Sequence, residues 1–106
     1  MNGFGIVASR GPPKKVDDLE YKGIKYSAPL EKMGHIEARN IKTGKIIWDL
    51  KVYDVEYQPN LETDIQEVYI ISLKIKGDDL EVVNEINEKY LVDLKNRRVR
   101  KGDQAA

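Results

Sequence analysis

Chemistry in this chain must be sought among few reactive groups. Of 106 residues one is histidine, His35, and none is cysteine. A serine nucleophile would have to bring His35 to Ser9, Ser27 or Ser72, and no G-x-S-x-G turn supports any of them. His35 follows Met33-Gly34 and reads as a turn residue at the start of a strand. Zinc is left without a set of imidazole or thiolate ligands, although carboxylates alone could hold calcium or magnesium. No metal or cofactor is expected, and an enzyme is the less favoured reading.

The richest polar stretch is residues 54–67, with five carboxylates, Asp54, Glu56, Glu62, Asp64 and Glu67. Its spacing lacks the D-x-[DN]-x-[DN]-G order of a calcium loop. A metal-free carboxylate hydrolase would need Glu56 and Asp64 to converge in a cleft. The simpler expectation is a solvated connection with one short helical turn near residues 60–65, where Asn60 can cap and the acids that follow favour the positive helix end. Loops of this length inside a compact domain are often functional. Tyr53 and Tyr57 accompany it, and tyrosine offers a packing ring with a wet hydroxyl. Tyr53, Glu56, Tyr57 and Asp64 are therefore the candidate binding residues, with a protein as the expected partner. Basic groups at Lys14-Lys15 and Arg97-Arg98-Val99-Arg100-Lys101 could touch phosphate, but no RNA- or DNA-binding motif accompanies them. A charged edge strand that deters aggregation explains the second group equally well.

The elements that must position these residues are strands. Apolar residues alternate with period two over most of the chain. Ile46, Trp48, Leu50 and Val52 form one row, and Ile47, Asp49, Lys51 and Tyr53 the wetter one. Trp48 is expected to be largely buried. The run Val68-Tyr69-Ile70-Ile71-Ser72-Leu73-Lys74-Ile75 is apolar on both rows at its start and predicts a central strand covered on both faces. Shorter strands are expected at 19–22, 24–27, 36–40, 80–84, 89–94 and around Val99, with glycine or Asp/Asn pairs in most gaps. Residues 1–16, with Pro12-Pro13, read as a flexible arm, 17–100 as a single β domain and 101–106 as a disordered tail.

Two segments resemble each other. Residues 36–50, IEARNIKTGKIIWDL, align without gaps on residues 80–94, LEVVNEINEKYLVDL, with Glu37/Glu81, Asn40/Asn84, Lys45/Lys89, Asp49/Asp93 and Leu50/Leu94 identical. The offset of 44 falls among the roughly 40 to 45 residues of a four-stranded propeller blade, although two hairpins of alternating pattern also match without common origin. The first copy carries a more specific pattern. Ala38-Arg39-Asn40-Ile41-Lys42-Thr43-Gly44-Lys45-Ile46-Ile47-Trp48 resembles the A-x-D-x-x-T-G-K-x-x-W hairpin of PQQ-type β-propeller repeats. Asn40 stands where that pattern has Asp. A weaker echo is Val92-Asp93-Leu94-Lys95-Asn96-Arg97-Arg98-Val99, with Arg97 in the place of Gly44. The resemblance implies a blade-like antiparallel meander with Gly44 at positive φ. One chain of this length cannot close a propeller, so no PQQ-binding enzyme is implied.

Eighteen basic and eighteen acidic side chains cancel, so no global field draws the protein to nucleic acid or anionic lipid. No stretch offers the roughly 18 apolar residues of a membrane span, which makes a soluble, cytoplasmic protein the expectation for the sequence as it stands. The fold expected is all-β: a small antiparallel barrel or a strongly twisted, blade-like meander of six to eight strands. Such a sheet must curl, or pair its edges with another copy. The function expected is a binding or interaction module, with an inhibitor or immunity-type protein docking on an enzyme as the alternative.

Overall fold

Period-two patterning turns into strands wherever the turn residues allow the chain to reverse. In a computed structural model of the protein, residues 14–55 and 67–102 are described. They form eight strands: β1 Leu19–Tyr21, β2 Ile24–Ser27, β3 His35–Asn40, β4 Ile46–Lys51, β5 Ile70–Lys76, β6 Asp79–Asn84, β7 Lys89–Asp93 and β8 Val99–Lys101. Every pairing is antiparallel and between sequence neighbours, giving two four-stranded meanders, β1-β2-β3-β4 and β5-β6-β7-β8. The protein is thus all-β. Its strands form two open, twisted sheets and not a closed barrel, and no helix occurs among the described residues. The helical turn anticipated at 60–65 lies outside them.

The two meanders share one core. Tyr26, Ile36, Ala38 and Val52 from the first sheet join Ile70, Leu73, Leu80, Val82 and Val92 from the second. Val16 packs against this cluster, Lys101 closes β8, and the Gly102 amide donates to the Lys89 carbonyl. Tyr53 braces the sheets. Its ring stacks on Tyr90 of β7 at 5.3 Å between centroids, and its hydroxyl donates to the Val68 carbonyl at the approach to β5. Burial, then the neighbouring Tyr90, pushes the Tyr53 phenol well above its ordinary pKa.

Two expectations about rows of side chains are corrected, for one physical reason. The register shifts between Ala38 and Arg39, so that Ala38 faces Trp48, Arg39 faces Ile46, and Ile47 is left over. A second shift beside Ile70 and Ser72 leaves Ile71 over. An extra residue flips the alternation beyond it. Ile46 therefore leaves the row of Trp48, Leu50 and Val52 and sits opposite Arg39. In β5 the two-faced apolar start reflects buried Ile70 beside unpaired Ile71, which is 54% exposed. That strand is an edge, bonded to β6 alone, and not the sheet's centre. Trp48 is likewise half-buried, because β4 ends its sheet.

The structural repeat also differs from the offset of 44. The Asn40 turn closes with the Asn40 amide on the Lys45 carbonyl, whereas the Asn84 turn closes one residue sooner, on Glu88. The turn that matches Asn40 in detail is that of Asp93. In each, Oδ1 accepts from the amides two and three residues on, Lys42 and Thr43 at 2.8 and 3.1 Å and Lys95 and Asn96 at 2.8 and 3.2 Å. In each the amide four residues on returns to the carbonyl at 2.7 Å, with Gly44 at φ 75 and Arg97 at φ 61. The second meander has the same strand order as the first.

Directly paired residues share a face, which fixes how the repeats meet. In the first sheet the core face carries Ala38 and Tyr26 together with Asn40, which pairs with Ile24. In the second sheet Asp93, the counterpart of Asn40, pairs with Asp79 on the face away from Leu80 and Val92. The sheets therefore bury opposite faces of the same motif. This is a head-to-tail arrangement; a twofold sandwich would bring like faces together.

Candidate functional site

Of the four anticipated binding residues, Tyr53 is described and the other three, Glu56, Tyr57 and Asp64, lie outside the described residues. Tyr53 is 8% exposed, with its ring against Tyr90 and its hydroxyl committed to Val68. It holds the chain between the sheets and offers no free ring to a partner.

Among the described residues, what the fold leaves open is an edge of the first sheet. Four strands end the two sheets: β1, β4, β5 and β8. β1 and β8 have three residues each, and β8 consists of Val99, Arg100 and Lys101, a short charged edge of the kind that deters strand addition. Its charges are also spent internally: Arg100 pairs with Asp79 at 2.6 Å and Lys101 with Glu88 at 3.1 Å, which weakens the basic end as a phosphate site. β5 approaches β1 of the other sheet, with residues 14–18 beside it. β4 has six residues and presents Ile46 and Ile47 half-exposed, with the Trp48 ring tilted against Tyr26 at 5.9 Å.

Backbone polarity follows from the ladder. The Val52 amide donates to the Gly34 carbonyl at 2.7 Å, and antiparallel pairing alternates, so the peptide groups of Asp49 and Lys51 point away from β3 to the free edge. Beside them lies a network of charges on the outer face. Lys32 Nζ donates to Asp49 Oδ2 at 2.6 Å and to Glu37 Oε2 at 3.3 Å. His35 Nδ1 meets Asp49 Oδ1 at 2.9 Å, and Arg39 donates to Glu37 and to the Gly44 carbonyl. The bond to His35, then that to Lys32, holds the Asp49 carboxyl below its ordinary value, and the bond to Asp49, then that to Glu37, raises Lys32. Among the described residues no serine hydroxyl joins the His35–Asp49 pair. The same residues hold no group of three or more histidines and carboxylates placed for a metal ion, and no helix among them is long and apolar enough to cross a membrane.

The edge was missed in the sequence because strand order is not written there. One signal pointed to it: the long connection after residue 53 ends the first meander, and the last strand of a meander is an edge. No family model matches the chain, and no curated protein is similar to it.

Proposed function

We propose that this protein is an interaction module that binds a protein partner by adding a strand to the free edge of β4. The observation that carries the reading is the contrast among the edges. β1 and β8 are short, β8 is also charged, β5 lies beside β1, and β4 alone combines length, outward peptide groups at Asp49 and Lys51, and exposed Ile46 and Ile47. Main-chain bonds would supply affinity, and alternate side chains would supply selectivity. The head-to-tail packing supports reading the sheets as two successive blade-like repeats, with the likeness to PQQ-type repeats residing in the Asn40 turn.

Capture of partners from the source lysate by the wild-type chain, compared with Ile47→Lys, tests this. A lysine on the edge should weaken capture at least tenfold, about 1.4 kcal/mol, with the melting temperature unchanged. Sedimentation on the purified chain names the partner class: a wild-type dimer that Ile47→Lys dissociates would make the partner a second copy. Loss of capture in Tyr57→Ala and Glu56→Lys, with Ile47→Lys unaffected, would return the contact surface to residues 54–67.

A further inference from the structure

A groove of about 210 Å³ opens where the turn ends of the two repeats meet. Tyr21, Ile24 and Tyr26 of the first sheet form one wall, and Leu94 with the backbone around Gly77 faces them from the second. Lys22, Lys95 and Asp78 line it as well and are exposed. Clefts between packed units are a usual place for small ligands, and drug-sized ones need about 300 Å³ or more. A single ring is the size that fits.

The groove holds an unmet polar demand. Tyr26 is 3% exposed, and among the described residues its hydroxyl has no hydrogen-bond partner; nor has that of Tyr21. Buried hydroxyls are almost always bonded, and Tyr26 is one of the residues that line the groove. Burial, then the nearby phenol of Tyr21, raises the Tyr26 pKa, so the hydroxyl keeps its proton and can both donate and accept. Two lysines against one aspartate line the groove, and among the described residues neither ammonium forms a salt bridge, although the Asp93 carboxylate feels the charge of Lys95; the Lys22 ammonium lies 5.2 Å from the Tyr21 ring centroid.

We propose that this groove binds a small single-ring aromatic carboxylate, its ring between Tyr21, Ile24 and Leu94, a polar substituent on the Tyr26 hydroxyl, and its anionic end at Lys22 and Lys95. The site is separate from the β4 edge and does not depend on it.

The structure supplies a reporter, since the Trp48 ring lies 5.9 Å from that of Tyr26. Titration of the full chain with 4-hydroxybenzoate should change Trp48 emission saturably, with half-saturation below millimolar. Tyr26→Phe should weaken that binding at least tenfold while leaving the melting temperature equal or higher, because deleting an unpaired buried hydroxyl removes a desolvation penalty. Lys95→Ala should weaken it severalfold, and the neutral methyl ester should bind far less tightly than the acid. Absence of saturable binding, unchanged affinity in Tyr26→Phe, or equal binding of the ester would each overturn the proposal. A melting temperature several degrees lower in Tyr26→Phe would do so as well, by showing that the hydroxyl already has a partner.

Discussion

Two turns with the same hydrogen bonds place different residues at their left-handed position, Gly44 in one and Arg97 in the other, and that difference predicts opposite substitutions. Both lie in the left-handed region, at φ 75 and φ 61, where a side chain costs about 1 kcal/mol relative to glycine. Arg97→Gly should raise stability by about 1 kcal/mol, and Gly44→Val should lower it by more than about 1 kcal/mol, both read as midpoint shifts in urea at constant slope. Gly34 is a stronger case. Its φ is 79, and a Cβ there would stand 2.4 Å from the Tyr53 carbonyl oxygen, whereas at Gly44 it would meet nothing. Gly34→Ala should cost about 3 kcal/mol, since strain and overpacking act together. If Gly34→Ala and Gly44→Ala prove equal, the close approach of Tyr53 is wrong. The Asn40 turn was legible in the sequence because its bonds run between near neighbours. The demand at Gly34 was not, because it is set by a backbone that returns from the far end of β4.

At the scale of the element, β4 shows what alternation conveys and where it fails. All eight strands fall where period two and the turn residues put them, yet the row containing Ile46 and the centrality of β5 did not survive. Both misreadings come from one unpaired isoleucine, Ile47 or Ile71, which in a linear pattern is indistinguishable from a second buried face. Trp48, half-buried on an edge strand, should lose about 2 kcal/mol on substitution by alanine, less than the roughly 3 to 5 kcal/mol of a fully enclosed ring. Its emission maximum should lie between the buried and the solvent-exposed limits. Asp49 on the same strand makes a prediction about pH. Its folded pKa lies below the ordinary 3.8, so its contribution is present above that value and is lost as pH falls through the lower, folded one. Asp49→Asn should be less stable than wild type at pH 7, by no more than about 1 kcal/mol for a partly exposed pair, and the gap should close as the pH falls below 3.8 and through the lower, folded value. A gap that persists in acid would mean that Asp49 acts by packing and not by charge.

For the whole molecule, the faces of the two sheets that point away from the shared core decide whether a further sheet could stack on them. The outer face of the first sheet carries His35, Glu37 and Arg39, and that of the second Asp79, Glu81 and Asp93. Glu37 and Glu81 are buried yet held by Lys32, Arg39 and Lys76. A further sheet stacked on either face would have to strip water from these groups, as with the polar outer surfaces of terminal repeats in longer arrays. Among the described residues the apolar faces of the two sheets cover each other. A lone four-stranded meander would expose Ile36, Ala38 and Tyr26 on one side, or Leu80, Val82 and Val92 on the other, and a sheet with one bare face is not stable in water. The repeats must then unfold together, although no main-chain ladder joins them. Trp48 reports on the first sheet, and Val82, fully enclosed, belongs to the second. Val82→Ala should cost about 2 kcal/mol and should shift the urea midpoint of Trp48 fluorescence by the same amount as that of far-ultraviolet circular dichroism. A fluorescence midpoint that stays in place while the dichroism midpoint falls would show two independent sheets, and would remove the shared core as the source of stability.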